Sequence, residues 1–323
     1  MEYIDCSVCH SKTTKLLLVT KDYDWGIPGE FNIVRCDECG LVYVNPRPDK
    51  NEIQKYYPEN YFYTVNKEDL YKEAIKSIIF KRRVNFLEKF GKSGKLLDVG
   101  TGDGLFLKIL TDKGWDVSGV EPSITAASFA KSKLNLKIYN SGLKEANLKE
   151  KEFDFISMWE VLEHISDPNE NIKEVCRLLK DDGAFIFSVP NFNSLQRLLF
   201  NKYWYGLKAP THLYHYTSKT VRKLLSNNGF KDVKIYNSLI NVKNPLPGYS
   251  DSLRYMLSDL NLYPKRQNLV RVENTITVKG KPNMRKIPAA ILHFIEFIVF
   301  GTLEIISFCF GRTATLFVVA KKE

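Results

Sequence analysis

A chain of 323 residues, 44% hydrophobic and 26% charged, carries enough apolar material for one large core and a smaller module, which excludes an intrinsically disordered protein. Lys and Arg number 47 against 37 Asp and Glu, a net charge of +10 that suits acidic partners such as phosphorylated substrates, anionic lipid or nucleic acid. The opening MEYIDCSVCH has no basic stretch ahead of an apolar run, so no secretory leader is expected and the predicted location is the cytoplasm.

Four of the six cysteines form two C-x-x-C pairs, Cys6 with Cys9 and Cys36 with Cys39. In a reducing compartment such pairs hold metal rather than disulfides, and four thiolates close a tetrahedral Zn²⁺ site with no position open for catalysis. Residues 1–48 are therefore expected to form a zinc-ribbon module with a structural Zn²⁺. A redox C-x-x-C would need one pair only and a thioredoxin-like context, which is missing. The ribbon either holds a small module together or offers a surface to nucleic acid or a partner.

The proline-set stretch NPRPD (Asn45 to Asp49) opens a segment, 49–94, with a cluster of tyrosines from Tyr56 to Tyr63 and then a helical pattern from about Lys67 to Phe90. These rings either cover a ligand or pack the ribbon onto the larger domain. Lys95 to Leu110 (KLLDVGTGDGLFLKIL) reads as strand, glycine loop and helix, the first half of a nucleotide-binding βαβ unit. Its spacing, D-x-G-x-G-x-G, differs from the dinucleotide pattern G-x-G-x-x-G: a carboxylate inside the motif repels phosphate and suits an ammonium group. A second strand, Asp116 to Val120, ends on Glu121, which can accept both hydroxyls of a ribose. The pair fits an adenosine that carries an amino acid.

On these residues the chain resembles the class I S-adenosylmethionine (SAM) dependent methyltransferases of the small-molecule type, from about Lys95 to the C-terminus. The resemblance implies an α/β fold: a Rossmann-like seven-stranded sheet with its core over 95–244, an N-terminal zinc ribbon, a helical insert over 245–311, and the last strand within 312–323. It implies SAM as cofactor, with the glycine loop around the methionine part (Asp98, Gly100, Thr101, Gly102) and Glu121 on the ribose. Pro122, Leu143 (against adenine), Met158 and Trp159 complete the implied cofactor set, with Tyr61, Tyr57 or Tyr63 as a cap.

A helix over Thr125 to Leu134 and a third strand over Leu136 to Tyr139 come next, then a fourth strand, Phe153 to Met158, that runs into Trp159 and E-V-L-E-H (Glu160 to His164). That run resembles the post-strand motif of ubiquinone-biosynthesis methyltransferases, where such a His supports the loop. The N/D-P-P-Y/F/W motif of adenine-N6 and cytosine-N4 methyltransferases is not here, which counts against nucleic-acid amines as acceptors. A fifth strand, Gly183 to Val189, leads to an aromatic, basic wall with His212 and His215. A neutral imidazole can take a hydroxyl proton, so His212 is the candidate general base with His215 second; the alternative is that both hydrogen-bond the loop. As a metal pair they lack an evident third ligand nearby.

A helix from Ser218, its expected N-cap, to Asn227 precedes a sixth strand over Val233 to Leu239, and Thr313 to Ala320 reads as the seventh. Between them, Pro288 to Gly311 is almost wholly apolar, with His293, Glu296 and Glu304 in one stripe and Lys279, Lys281, Arg285, Lys286 and Arg312 around it. No run is long and uncharged enough to span a bilayer, so this segment is expected to lie on the inner membrane face, in a homodimer interface or against the core. The function expected is O-methylation of a small molecule, a sugar or lipid-linked intermediate. The alternatives are an RNA base methyltransferase that grips RNA through the ribbon, and a non-enzymatic SAM-binding scaffold.

Overall fold

A computed structural model of the protein describes residues 1–57, 70–237, 245–262, 269–272, 275–278 and 289–323. Three antiparallel strands open the chain: β1 (Thr14–Thr20), β2 (Phe31–Cys36) and β3 (Val42–Val44). Each C-x-x-C pair sits in a turn beside them, Cys6 to Cys9 ahead of β1 and Cys36 to Cys39 between β2 and β3. Helix α1 (Leu70–Leu87) then leads into the main sheet.

The first half of that sheet comprises β4 (Lys95–Val99), α2 (Leu105–Asp112), β5 (Asp116–Val120), α3 (Ile124–Leu134), β6 (Ile138–Tyr139), β7 (Phe153–Trp159) and α4 (Pro168–Leu178). Local chemistry sets these limits. Ser123 caps α3 by accepting from the Ala126 N–H, and Asn135 ends it in the left-handed region (φ 53°); Asp167 caps α4 with Pro168 in the first turn. The second half contains β8 (Leu179–Pro190), α5 (Leu195–Phe200), β9 (Tyr214–His215), α6 (Ser218–Ser226), β10 (Phe230–Asn237), α7 (Pro245–Asp259), β11 (Leu269–Val272), β12 (Thr275–Val278), α8 (Ala289–Cys309) and β13 (Thr315–Lys322).

Seven strands run in the order β10-β13-β8-β7-β4-β5-β6. Strands β6, β5, β4, β7 and β8 are parallel, and β13 inserts antiparallel between β8 and β10. The parallel strands read as unbroken apolar runs because both faces are covered: Leu97, Ile156, Met158, Phe185 and Phe187 on one side and Leu96, Phe155 and Ile186 on the other are buried. This is the expected Rossmann-like α/β sheet, and the zinc ribbon stands in front of it as its four-cysteine cluster.

Three details differ from the sequence reading. The α6 N-cap is Thr217, not Ser218: the Thr217 hydroxyl accepts from the Thr220 N–H and Thr220 returns the bond, a capping box one residue earlier. The insert is helical at both ends but also holds the β11–β12 hairpin. The aromatic wall contributes β9, which joins β3 as the fourth strand of the ribbon sheet, Val42 opposite His215 and Tyr43 opposite Tyr214. Further bonds tie the ribbon to the main sheet: Asn227 Nδ2 donates to the Val8 carbonyl (2.8 Å), Asn169 Nδ2 to that of Ser7, and Arg47 to the Ser166 carbonyl (2.8 Å).

Helix α8 packs on α7 through a stacked Tyr249–Phe300 pair (5.2 Å, 9°). The one stripe residue whose side chain is described turns inward. Glu304 is 3% exposed, held by the Ala314 N–H at 3.3 Å, and Ser307 meets the Tyr249 hydroxyl at 3.3 Å. Ile298, Val299, Ile305, Ile306 and Phe308, with Phe310 just beyond (76%), face outward instead. Lys279, Lys281, Arg285 and Lys286 lie outside the described residues, as do the side chains of His293 and Glu296. Among the described residues no helix is long and apolar enough to cross a membrane.

Candidate active site and metal clusters

The carboxyl ends of β4, β5 and β7 converge where ligands bind in open α/β sheets. At the end of β4 the chain turns through Gly100 (φ 73°) and Gly102 (φ 60°), conformations that favour glycine. A Cβ on Gly100 would meet Val161 at 2.5 Å, whereas one on Gly102 would meet nothing within 4 Å, so Gly102 borders an open cradle. Asp98 is 2% exposed and accepts from the Ser157 hydroxyl at 2.6 Å. Burial raises its carboxyl to about 7, against the pull of Ser157 and of Arg83.

Glu121 stands at the end of β5. One carboxylate oxygen accepts from the Gly102 N–H (2.7 Å) and the other from the Ser123 N–H (2.8 Å), which fixes the carboxylate and leaves lone pairs for two ribose hydroxyls. Thr101 is buried with its hydroxyl on the Asp98 carbonyl (2.9 Å), which braces the turn. Pro122 is exposed; its carbonyl and that of Glu121 accept from Asn140 Nδ2, and Leu143 is buried beside that loop. Gly100, Gly102, Asp98 and Glu121 thus come together around one cradle whose donor set fits SAM: a carboxylate for the ammonium group and another for the ribose.

Met158 and Trp159 are buried in the sheet, on opposite faces. Trp159 packs edge-on against Phe106 (5.6 Å) with Arg83 over its ring (5.1 Å), a supporting position under the site. Tyr61 and Tyr63 lie outside the described residues. Tyr57 is described, and its hydroxyl lies 3.0 Å from His164 Nδ1.

Beyond β7 the backbone of Glu160 is left-handed (φ 58°), an uncommon state for a non-glycine residue and a frequent one at functional turns. The Ser188 hydroxyl donates to its carboxylate at 2.8 Å. A single turn of 3₁₀ helix, Leu162 to His164, then places Glu163 and His164 against His212, whose ring meets that of His164 edge-on at 4.5 Å. Burial, with His164 and Lys208 nearby, holds His212 well below the usual imidazole range, so it is neutral at pH 7.

His215 is placed differently. It is 1% exposed in β9, packs against Phe192 (5.9 Å), and burial lowers it to about 3. Among the described residues neither ring nitrogen of His215 meets a hydrogen-bond partner, and its strand pairing with Val42 places it in the ribbon sheet. Sequence reasoning paired His212 with its near neighbour in the chain; the fold pairs it with His164 and Glu163. Arg83, buried between Trp159 and Phe80 and electrostatically coupled to Asp98 and Glu160, was also missed. Its signal was faint: it is the last of several cations in one helix.

In the ribbon, Cys6 and Cys39 sulfurs lie 3.4 Å apart and those of Cys9 and Cys36 3.5 Å apart, with all four within 4.8 Å. Four thiolates at about 2.3 Å from a central Zn²⁺ would stand roughly 3.8 Å apart, so the cluster fits that ion. Burial pushes the Cys6 thiol up, while backbone N–H groups of Cys39 and Glu38 bring Cys36 down to about 7 despite its own burial.

Comparison with known proteins agrees with the geometry. A family model described as a methyltransferase domain matches residues 71–235. A ubiquinone biosynthesis O-methyltransferase of Coxiella burnetii is 30% identical over 133 residues, 40% of this chain and 54% of that protein. The chain thus spans about half the length of that relative. An uncharacterised protein of Methanocaldococcus jannaschii is 28% identical over 157 residues, 49% of this chain and 74% of that one. A phosphoethanolamine N-methyltransferase of Haemonchus contortus, solved with SAM, shares the fold at 15% identity with a TM-score of 0.51, over 96% of this chain and 68% of that one. The matched stretch runs from the helix ahead of the glycine loop through the sixth strand of the sheet, half of the chain, and the protein is therefore a class I SAM-dependent methyltransferase.

Proposed function

We propose that the protein transfers a methyl group to a hydroxyl oxygen of a small molecule, a sugar or lipid-linked intermediate, at the mouth of β4 and β7. The observation that carries this reading is the meeting of Glu163, His164 and neutral His212 on the turn beyond the carboxyl end of β7. When bound, SAM supplies a methyl already activated by its sulfonium, so alignment provides most of the rate. A hydroxyl still has to lose its proton, and a neutral imidazole beside a carboxylate can take it. His212 donates Nδ1–H to the Gly206 carbonyl (2.9 Å), which leaves Nε2 to accept that proton. The four cysteines hold a structural Zn²⁺ that fixes the ribbon and, through β9, the segment carrying His212.

A lipid-linked acceptor is favoured over a free sugar by α8. Glu304 and Ser307 face the protein while Ile298, Val299, Ile305, Ile306 and Phe308 face out, beside exposed Arg312 on a chain of net charge +10. The occupant this suits is an anionic membrane surface. Comparing metabolites of a deletion strain and its parent, with the new linkage identified as methyl ether or methylamine, tests the reaction; an N-methyl or RNA-borne product sinks it.

A further inference from the structure

Phe192, just beyond the end of β8, carries two polar neighbours. The Arg197 guanidinium of α5 lies over its ring (4.6 Å), and the His215 ring of β9 lies against it (5.9 Å, 32°). Both are orphans: among the described residues Arg197 Nε and the two nitrogens of His215 are buried and meet no hydrogen-bond partner. Buried polar groups are otherwise paired in folded proteins, so two orphans around one ring mark a place built for a polar ligand.

The ribbon sheet adds charge to the same place. Lys15 of β1 stands opposite Arg35 of β2, Arg35 opposite Val42 of β3, and Val42 opposite His215 of β9. Directly opposed residues of antiparallel strands project to one face, so these four form a single row. Val42 shares an apolar cluster with Phe192, which puts the row on the face that Phe192 and Arg197 cover. Arg35 is exposed and Arg197 half-buried, and among the described residues no carboxylate pairs with either guanidinium. Two like charges brought together at the edge of the core repel, and an anion between them turns that repulsion into attraction.

We infer that Arg197 and Arg35 bind a phosphate group of the methyl acceptor, beside His215. A guanidinium presents a planar fork of N–H donors that engages phosphate oxygens two at a time, and two forks with Lys15 nearby suit a doubly charged group. His212 precedes His215 by three residues, so their Cα atoms stand at most about 10 Å apart. A sugar phosphate is long enough to hold a hydroxyl at one end of that span and its ester at the other. The inference rests on the reading of a sugar or lipid-linked acceptor and narrows it to phosphate esters. Such an ester belongs either to a lipid carrier or to a soluble nucleotide, and both present the same charged oxygens.

The test is calorimetry of the full, zinc-loaded chain in the presence of S-adenosylhomocysteine, with inorganic pyrophosphate as the probe. One pyrophosphate per chain is expected in the wild type, with affinity weakened at least about tenfold in Arg197→Gln and in Arg35→Gln. Affinity for S-adenosylhomocysteine within about twofold of wild type shows that the variants are folded. Because Arg35 is exposed, its substitution keeps the test decisive even where Arg197→Gln fails to fold. Absence of pyrophosphate binding to the wild-type chain overturns the inference, and so does undiminished binding in the folded variants. Two further arms identify the source: uridine diphosphate bound more tightly than pyrophosphate assigns a nucleotide, and Arg197-dependent binding to neutral vesicles that carry a polyprenyl diphosphate assigns a lipid. The outcome is separable from the reaction: a protein that binds pyrophosphate and makes methylamines keeps the site and loses O-methyl transfer, whereas one that makes methyl ethers without binding pyrophosphate does the reverse.

Discussion

The ribbon and the α8 insert are both additions to one sheet, yet they are attached by opposite means. The ribbon is stitched on by directed polar bonds from Asn169, Asn227 and Arg47 and by a shared strand, so its inward surface is specific. The described end of α8 keeps Glu304 and Ser307 for the protein and leaves Ile298, Val299, Ile305, Ile306 and Phe308 in the open. Directed bonds fix a geometry, whereas an exposed apolar face calls for a partner. On the proposed reading the first addition serves the acceptor site, and the second serves a membrane surface outside the molecule.

Cys36→Ser is the largest blow to that comparison. Structural zinc is worth about 10 kcal/mol or more to a small module, so the variant should lose its metal and melt the ribbon. Because β9 leaves with β3, methyl transfer should vanish while SAM still binds; elemental analysis and calorimetry read the two parts. A variant that keeps full transfer without zinc would show that the stitching is decorative. Glu121→Ala calibrates the scale from the sheet itself, since losing charged bonds to two hydroxyls costs about 3 kcal/mol, roughly a hundredfold in SAM affinity.

Phe308→Asp probes the other addition. Removing one apolar anchor of about 2 kcal/mol should weaken binding to anionic vesicles by tenfold or more, with thermal stability and SAM affinity unchanged. Salt should weaken the wild-type binding further. A stable dimer that ignores vesicles, and that Phe308→Asp dissociates, would place α8 in a protein interface instead.

The smallest effect is graded by pH. Asp98 is raised to about 7 by burial, so below that value the empty cradle holds a neutral acid. A raised carboxyl costs the empty fold stability as pH climbs from the ordinary carboxylate range through about 7, because ionisation is easier in the unfolded chain. The ammonium group of SAM needs the ionised form, so binding below pH 7 must expel a proton. SAM affinity should fall by about tenfold per pH unit below 7 and level off above it. Calorimetry at pH 6 in buffers of different ionisation enthalpy should register the released proton; a flat profile from pH 5.5 to 8 would mean that Asp98 does not meet the cofactor.

The strands and the cradle were legible because their signals are local. A buried parallel strand is an apolar run, a glycine loop announces itself within a few residues, and Glu121 follows at a fixed distance. Where the reading failed, the determinant was a contact between distant stretches. His215 looked like a wall residue until β9 paired with β3. His164 looked like a loop support and His212 like a base on a separate wall until the Glu163 carbonyl met the Leu213 N–H. The α8 stripe was visible, but periodicity gives a polar face without saying which way it turns, and at Glu304 it turns in.

The borrowed strand also sets a schedule for synthesis. Ribbon strands β1 to β3 leave the ribosome first, but β9, which covers the edge of β3, emerges only after most of the catalytic sheet has been made. Until then the N-terminal module exposes a short strand of Val42, Tyr43 and Val44, all apolar and all buried in the finished protein. An open strand edge of that kind invites pairing with another nascent chain. Early zinc capture can shape the knuckles but cannot close that edge, so the module acquires its final sheet as one of the last acts of folding.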